Sequence, residues 1–424
     1  MLAGLAAASV SGRSGEDRDD VLRLGLPPVP GLDPAQARSV EQLLVADQLF
    51  DSLTQPDPRT MEPRPALAAR WQSSPDQRQW DFFLRPDARF SNGRAVTGAD
   101  VEFSLERVVR PGSGSAAADL LQPVTGYADF RIRRQTPDLA GISAPAPDHV
   151  RIRLDRPWAE LPSVLSSPVF GVVAQESVAG PSPGTPSATP VGSGPFAFGA
   201  EQGDVITLVP APGSRAHVDR VELVQFADVA EAYRAFTRAE VDWAGVPPEE
   251  MGAAARRYGR QAFRPYLAGV FYGFNLKSPK LSDVRFREAV VRAVDRRAVV
   301  AAVYQGTVLP TDAVVLEGVA GHRPELCPRC GYDPGRARAL VEEAFPGARP
   351  PEVAIDFDVD PTQEAVARAI QTNLEEVGIK VELRPKPLGE YQNFVLSGQQ
   401  EIFRLGWIAP YPSADAFLHP LFST

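Results

Sequence analysis

Apolar residues alternate or recur at helical spacing along most of the chain, and the pattern alone marks out an ordered series of elements. Val21 to Leu26 carries apolar side chains at 21, 22, 24 and 26 and reads as an entry strand. Gly31-Leu32-Asp33-Pro34 is a turn, after which Val40 to Leu53 repeats apolar residues at helical spacing. Gln79 to Leu84 is a strand. Thr97 and Asp100 stand three apart before Val101, a capping-box-like start to a helix that Pro111 stops. Val150 to Leu154 alternates as a strand, residues 177–190 are rich in Pro, Gly, Ser and Thr and read as a loop, and residues 196–224 suggest several short strands. Leu267 to Leu276 is an apolar run punctuated by glycine. Asp283 to Tyr304 reads as one amphipathic helix ended by Gly306. Asp333-Pro334 opens the next helix with an N-cap and a first-turn proline. Glu352–Asp358, Thr362–Val377 and Ile379–Leu383 follow as strand, helix closed by Gly378, and strand. This β-α-β order indicates an α/β unit toward the C-terminus.

Size and charge narrow the function. A chain of 424 residues is too long for one core, so two or three domains are expected. The hydrophobic fraction of 44% and charged fraction of 23% are ordinary for a globular protein. The formal net charge is −9 with both signs interspersed, which provides no basic stripe for nucleic acid. No apolar run reaches the length of a membrane span. Met1 to Val10 is small and apolar and resembles the tail of an export signal without its basic start; a disordered or linker segment is the other reading.

Candidate chemistry is sparse. Cys327 and Cys330 form Cys-Pro-Arg-Cys in a Pro/Gly-rich loop, read as a local disulfide or two idle thiols, with a metal site or a redox pair as alternatives. His149, His217, His322 and His419 have no paired spacing, and no metal or other cofactor is expected. Gly192-Ser193-Gly194 lacks the flanking glycines of a nucleophile elbow, and strand-like residues follow it where a dinucleotide site needs a helix. A tight turn is the simpler reading of that segment, and no catalytic residue is assigned.

Seven segments, in order and in spacing, carry a family resemblance. They are Leu32-Asp33-Pro34 with Leu49 to Leu53; Pro65 to Ala68 with Trp71; Trp80 to Pro86 with Phe90-Ser-Asn-Gly93 and Thr97-Gly-Ala-Asp-Val101; Gly192 to Phe196; Asn275-Leu-Lys277 with Asp283 to Ala289; Tyr332-Asp-Pro334; and Gly406-Trp407. Together they resemble the peptide/nickel/oligopeptide type of extracytoplasmic solute-binding protein of ABC transporters, family 5. The resemblance implies an α/β, two-lobed periplasmic-binding-protein-like fold of type II (cluster C), whose lobes close on a ligand by hinge bending. It implies residues 21–35 and 169–265 in lobe one, a small inserted domain over 36–168, and lobe two from 266 to 424, with 1–20 disordered or processed. The run from Leu267 would then cross between lobes, and most matched aromatics, among them Trp71, Phe82, Phe90 and Phe103, would be core.

The same resemblance places ligand-binding residues at Arg404, Trp407 and Tyr411 and, near the start of the chain, at Arg38, Ser39 and Val40. In peptide-binding relatives an Asp three residues after the Trp holds the ligand's amino group; here that residue is Pro410. An Arg three residues before the Trp meets a ligand carboxylate in oligopeptide binders, and Arg404 stands there. Arg38 occupies a position where some relatives carry an acid. A neutral or anionic ligand is therefore expected to be preferred over a free amine. Relatives continue past the Gly-Trp segment, so lobe two is expected to be incomplete, with apolar side chains exposed near Phe417, Leu418, Leu421 and Phe422. The expected role is a monomeric, extracytoplasmic, non-enzymatic binder of a small-molecule or peptide-like ligand that serves an ABC permease. The alternative is a ligand-sensing module of a larger regulatory protein.

Overall fold

The computed structural model describes residues 20–178, 191–214, 216–259, 267–305, 308–319, 321–324 and 326–422, so the expected N-terminal segment up to residue 19, most of the 177–190 loop, and Gly306 lie outside the described residues. The chain divides into two compact units, one running to Pro247 with Pro410–Ser413, the other holding Pro248–Ala409 and Ala414–Thr424.

In chain order the first unit contains β1 (Val21–Leu26), α1 (Val40–Leu49), β2 (Thr54–Pro56), β3 (Pro63–Pro65), β4 (Ala68–Ser73), β5 (Gln79–Leu84), α2 (Gly98–Val109), β6 (Ile142–Ala146) and β7 (His149–Arg153). It continues with α3 (Leu161–Val164), α4 (Gln175–Val178), β8 (Phe196–Gln202), β9 (Val205–Pro210), β10 (Arg220–Gln225), α5 (Val229–Thr237) and β11 (Trp243–Ala244). One five-stranded sheet has the order β11-β1-β10-β9-β8, with β1 parallel to both neighbours and the rest antiparallel. Its core joins Leu24, Leu26, Ile206, Leu208 and Leu223 to Leu44, Val45 and Leu49 of α1. A second sheet, β4-β5-β7-β6, is antiparallel throughout and packs under α2, burying Phe82, Val150, Ile152, Val101 and Leu105. Phe90 is buried as well, while Trp71 and Phe103 are half-buried.

Several of the motif residues turn out to be local bracing. Asp33 accepts from Ala35 N at 3.0 Å and is forked by Arg107 of α2, with Nη1 at 3.0 Å from Oδ1. Ser39 caps α1 by accepting from Gln42 N at 3.2 Å, which offsets an otherwise unpaired helix donor. Asp100 Oδ2 accepts from Thr97 N at 2.9 Å and from the Thr97 hydroxyl at 2.8 Å. The Gly-Ser-Gly turn is a packing device: a Cβ on Gly192 would lie 1.9 Å from Leu49 O, and one on Gly194 2.5 Å from Gln48 O. Only hydrogen at those positions lets the turn close on the end of α1.

The second unit contains α6 (Met251–Tyr258), β12 (Ala268–Phe274), α7 (Val284–Ala293), α8 (Arg296–Val303), α9 (Pro334–Ala344), β13 (Val353–Asp358), α10 (Pro361–Glu376), β14 (Val381–Lys386), α11 (Leu388–Ser397), β15 (Ile402–Ile408) and α12 (Asp415–Phe422). Its sheet has the order β12-β15-β13-β14. Strand β13 is parallel to β14 and β15, and β12 is the antiparallel edge. The apolar run from Leu267 thus forms an edge strand of this sheet. The core joins Val353, Ile355, Phe357 and Ile402 to Phe286, Leu340, Val366, Ile370 and Leu374.

The single helix expected over 283–304 is two helices. Val294 is extended (φ −86°, ψ 114°), and Asp295 caps α8 by accepting from Ala298 N at 3.0 Å while its own N–H donates to Asn373. A short acidic side chain that satisfies free N–H groups favours a new helix start over continuation. Asp283 caps α7 and pairs with Arg285 at 2.7 Å, and Arg287 reaches the carbonyls of Leu281 and Ser282, so these charges brace the helix. Gly378 ends α10 with φ +87°, a conformation glycine adopts freely. Cys327 and Cys330 are joined in a disulfide, and Arg296 of α8 donates to the Cys330 carbonyl at 2.8 Å. Of the apolar side chains expected at the surface, Leu418 and Phe422 are exposed and Phe417 is buried; the Leu421 side chain lies outside the described residues. Among the described residues no helix is long and apolar enough to cross a membrane.

Candidate functional site

Strand β15 places the two most informative site candidates. Arg404 and Trp407 are three residues apart on one strand, so the two-residue repeat of a strand sends them to opposite faces. Ile402 belongs to the helix-covered core, which puts Arg404 on that face. Tyr272 of β12 stands directly opposite Arg404 in the antiparallel register.

The surroundings of Arg404 are polar and largely screened from water. Its Nη1 donates to Asp358 Oδ1 at 3.2 Å, at the C-terminal end of β13, and both side chains are mostly buried. Its Nε is buried with no acceptor, and the Tyr272 hydroxyl is buried with no partner. The guanidinium lies along its own strand over Gly406, where a Cβ would stand 3.5 Å from Nη2. The Tyr391 hydroxyl of α11 points at two backbone carbonyls, Asp356 O at 2.9 Å and Arg404 O at 2.7 Å, tying β13, β15 and α11 together. Burial, with Tyr304 nearby, pushes the Tyr272 phenol above its ordinary range. Burial does the same for Tyr391, so both remain neutral donors at physiological pH.

On the other face, Trp407 donates from Nε1 to Ala416 O at 2.7 Å, which fixes the indole against α12. Tyr411, just beyond β15, is buried and belongs to the first unit, as do Arg38, Ser39 and Val40 at the start of α1. Arg38 donates from Nη2 to Gly114 O at 2.5 Å, and its N–H donates to Gln42 Oε1 at 2.9 Å. The Ser39 hydroxyl is taken up by the cap, and Val40 is partly exposed. The structure therefore places Arg404 and Trp407 on one strand but on opposite faces, and Arg38, Ser39 and Val40 at one helix start.

Asp358, Tyr272 and Tyr391 were not singled out from the sequence. Asp358 had a signal: Asp356 and Asp358 interrupt an otherwise apolar strand, and a carboxylate in a buried strand needs a partner. The tyrosines had none, because only register brings them to Arg404. Among the described residues no three His, Cys, Asp or Glu side chains converge as metal ligands.

The architecture of mixed α/β units is that of the two-lobed periplasmic binding proteins. The chain superposes on the unliganded open form of MppA, the periplasmic murein tripeptide binding protein, with a TM-score of 0.83 at 21% identity, covering 96% of this chain and 82% of that one. It superposes on Listeria monocytogenes OppA bound to peptide with a TM-score of 0.67 at 19% identity, covering 95% and 84%. The sequence supplies the family: residues 62–424 match the bacterial extracellular solute-binding proteins, family 5 Middle, and the chain belongs to that family. Among its relatives, the periplasmic murein peptide-binding protein MppA of Escherichia coli is 23% identical over 408 residues, covering 93% of this chain and 76% of that protein. The dipeptide-binding protein DppE of Bacillus subtilis is 26% identical over 339 residues, covering 76% and 62%.

Proposed function

We propose that this chain is the solute-binding component of an ABC importer, and that it captures a peptide-like solute and presents it to a permease. The family match across residues 62–424 carries this reading. The relatives supply the ligand class, being named for murein peptide, dipeptides and oligopeptides. No observation favours the sensing-module alternative. We read Arg404, Trp407, Tyr411, Arg38, Ser39 and Val40 as the ligand contacts, 36–168 as an inserted domain, and the working form as a monomer that binds without catalysing. Trp407 supports the site reading because its indole is held in one orientation and only half-buried, so one face stays available for stacking.

The test is a binding screen with di- and tripeptides, followed by Trp407→Phe. A peptide that binds the folded chain should stabilise it by about 2.7 kcal/mol when present at about 100 times its Kd. Its binding should change the Trp407 fluorescence, and that signal should vanish in the variant. A panel of peptides that produces no stabilisation, beside a sugar or metal chelate that does, would move the ligand to another class.

A further inference from the structure

We infer that Asp358 is a specificity-determining residue: it occupies Arg404, closes that guanidinium to carboxylates, and leaves a charge-compensated wall suited to a neutral hydroxyl or amide of the ligand. The inference rests on the reading above in placing Arg404 at the ligand, and it narrows the expected preference for a neutral or anionic ligand to a neutral one.

Arginine captures a carboxylate through one of two forks, the Nη1–Nη2 end or the Nε–Nη2 side. Neither is open here. At the end fork, Nη1 already donates to Asp358 Oδ1 at 3.2 Å. At the side fork, Nε is buried away from solvent and from any acceptor. Arg404 and Asp358 are 20% and 13% exposed, so their attraction is less screened than that of a surface pair. An incoming carboxylate would have to displace Asp358 and strip that mostly buried acid of its guanidinium partner, which is costly. The other acids nearby are held by backbone donors and do not compete for Arg404. Asp360 is taken up by Thr362 N at 2.9 Å and Gln363 N at 3.0 Å, and Asp356 accepts from Glu401 N at 2.9 Å. The Tyr272 hydroxyl, buried without a partner directly across from Arg404, is a neutral donor and acceptor in the cluster.

The experiment separates this inference from the importer reading by using acetate as the probe. The Arg404 Nε–H resonance is assigned by its loss in Arg404→Lys and followed during acetate titration in the wild type, Asp358→Asn and Asp358→Ser. The wild-type resonance should stay unmoved by acetate, and both Asp358 variants should respond with affinity raised about ten- to a hundredfold, the range of a charge-assisted hydrogen bond. A wild-type response to acetate overturns the inference, even if neither variant folds. Silent resonances in a folded Asp358 variant overturn it as well. A second arm compares trialanine with its C-terminal amide. The wild type should bind the amide at least as tightly, and Asp358→Asn should reverse the order. If neither peptide binds, the ligand class proposed above fails while the acetate result still decides the role of Asp358.

Discussion

Replacing Asp100 by asparagine should cost the first unit about 2–4 kcal/mol. The carboxylate is 6% exposed and takes four hydrogen bonds, two from Arg94 (Nη2–Oδ1 2.7 Å, Nη1–Oδ2 2.9 Å) and two from Thr97. Asparagine keeps the shape and one acceptor, yet its amide nitrogen must then face a donor of Arg94 or Thr97. Two charge-assisted hydrogen bonds contribute about 1.5–3 kcal/mol each. The loss is smaller than their sum because Arg94 is 38% exposed and keeps its bonds to Glu176 at 2.9 and 3.0 Å. Urea unfolding in a Trp407→Phe background reads the right unit, since Trp71, Trp80, Trp158 and Trp243 all lie in the first one. A double-mutant cycle with Arg94→Met should give a coupling of about 1.5–3 kcal/mol. The pH dependence has a definite sign. Burial opposes ionisation of Asp100, but the hydrogen bonds from Arg94 and Thr97 outweigh it and hold the carboxyl below its usual range. Its contribution is thus present above the unfolded value of about 3.9 and is lost as pH falls through the folded one. Asp100→Asn should flatten that acid limb. A variant within about 0.5 kcal/mol of the wild type, the ordinary range for a surface change, would refute the reasoning.

Phe286→Ala should destabilise the second unit by about 3–5 kcal/mol, because the ring is fully buried and packs edge-on against Phe345 at 5.1 Å; the Trp407 fluorescence, taken as the difference between proteins with Trp407 and with Trp407→Phe during urea unfolding, measures it. Gly192→Ala should cripple folding, read as loss of soluble protein or of the cooperative transition, since its methyl would sit on Leu49 O; an unchanged urea midpoint would contradict the packing described. Burial raises the Asp51 carboxyl to about 6 against the opposing pull of Arg85. Stability from this group is present below the unfolded value and lost as pH rises through about 6, so the urea midpoint should fall across about pH 4–6.5, and that slope should become shallower in Asp51→Asn, Asp47 being raised by burial as well.

Much of the protein is legible in the order of its residues, because local physics wrote it. Alternation gave β1 and β7, and the cap at Asp333 gave a helix start, since period and capping act within a few residues. The motif series gave the family for a related reason: Asp33, Asp100, Gly192 and Gly194 each serve a specific contact that few other residues can make. Other features waited for tertiary structure. The helix over 283–304 breaks at Val294 because Asp295 finds both a cap role and a partner, Asn373, far along the chain. Arg404 could be placed on a strand from its neighbours, but its partner Asp358 lies 46 residues earlier and its opposite number Tyr272 much earlier still. A side chain's charge is written in the sequence. Whether that charge is free to meet a ligand depends on which strands the sheet sets side by side, and only the folded register decides that.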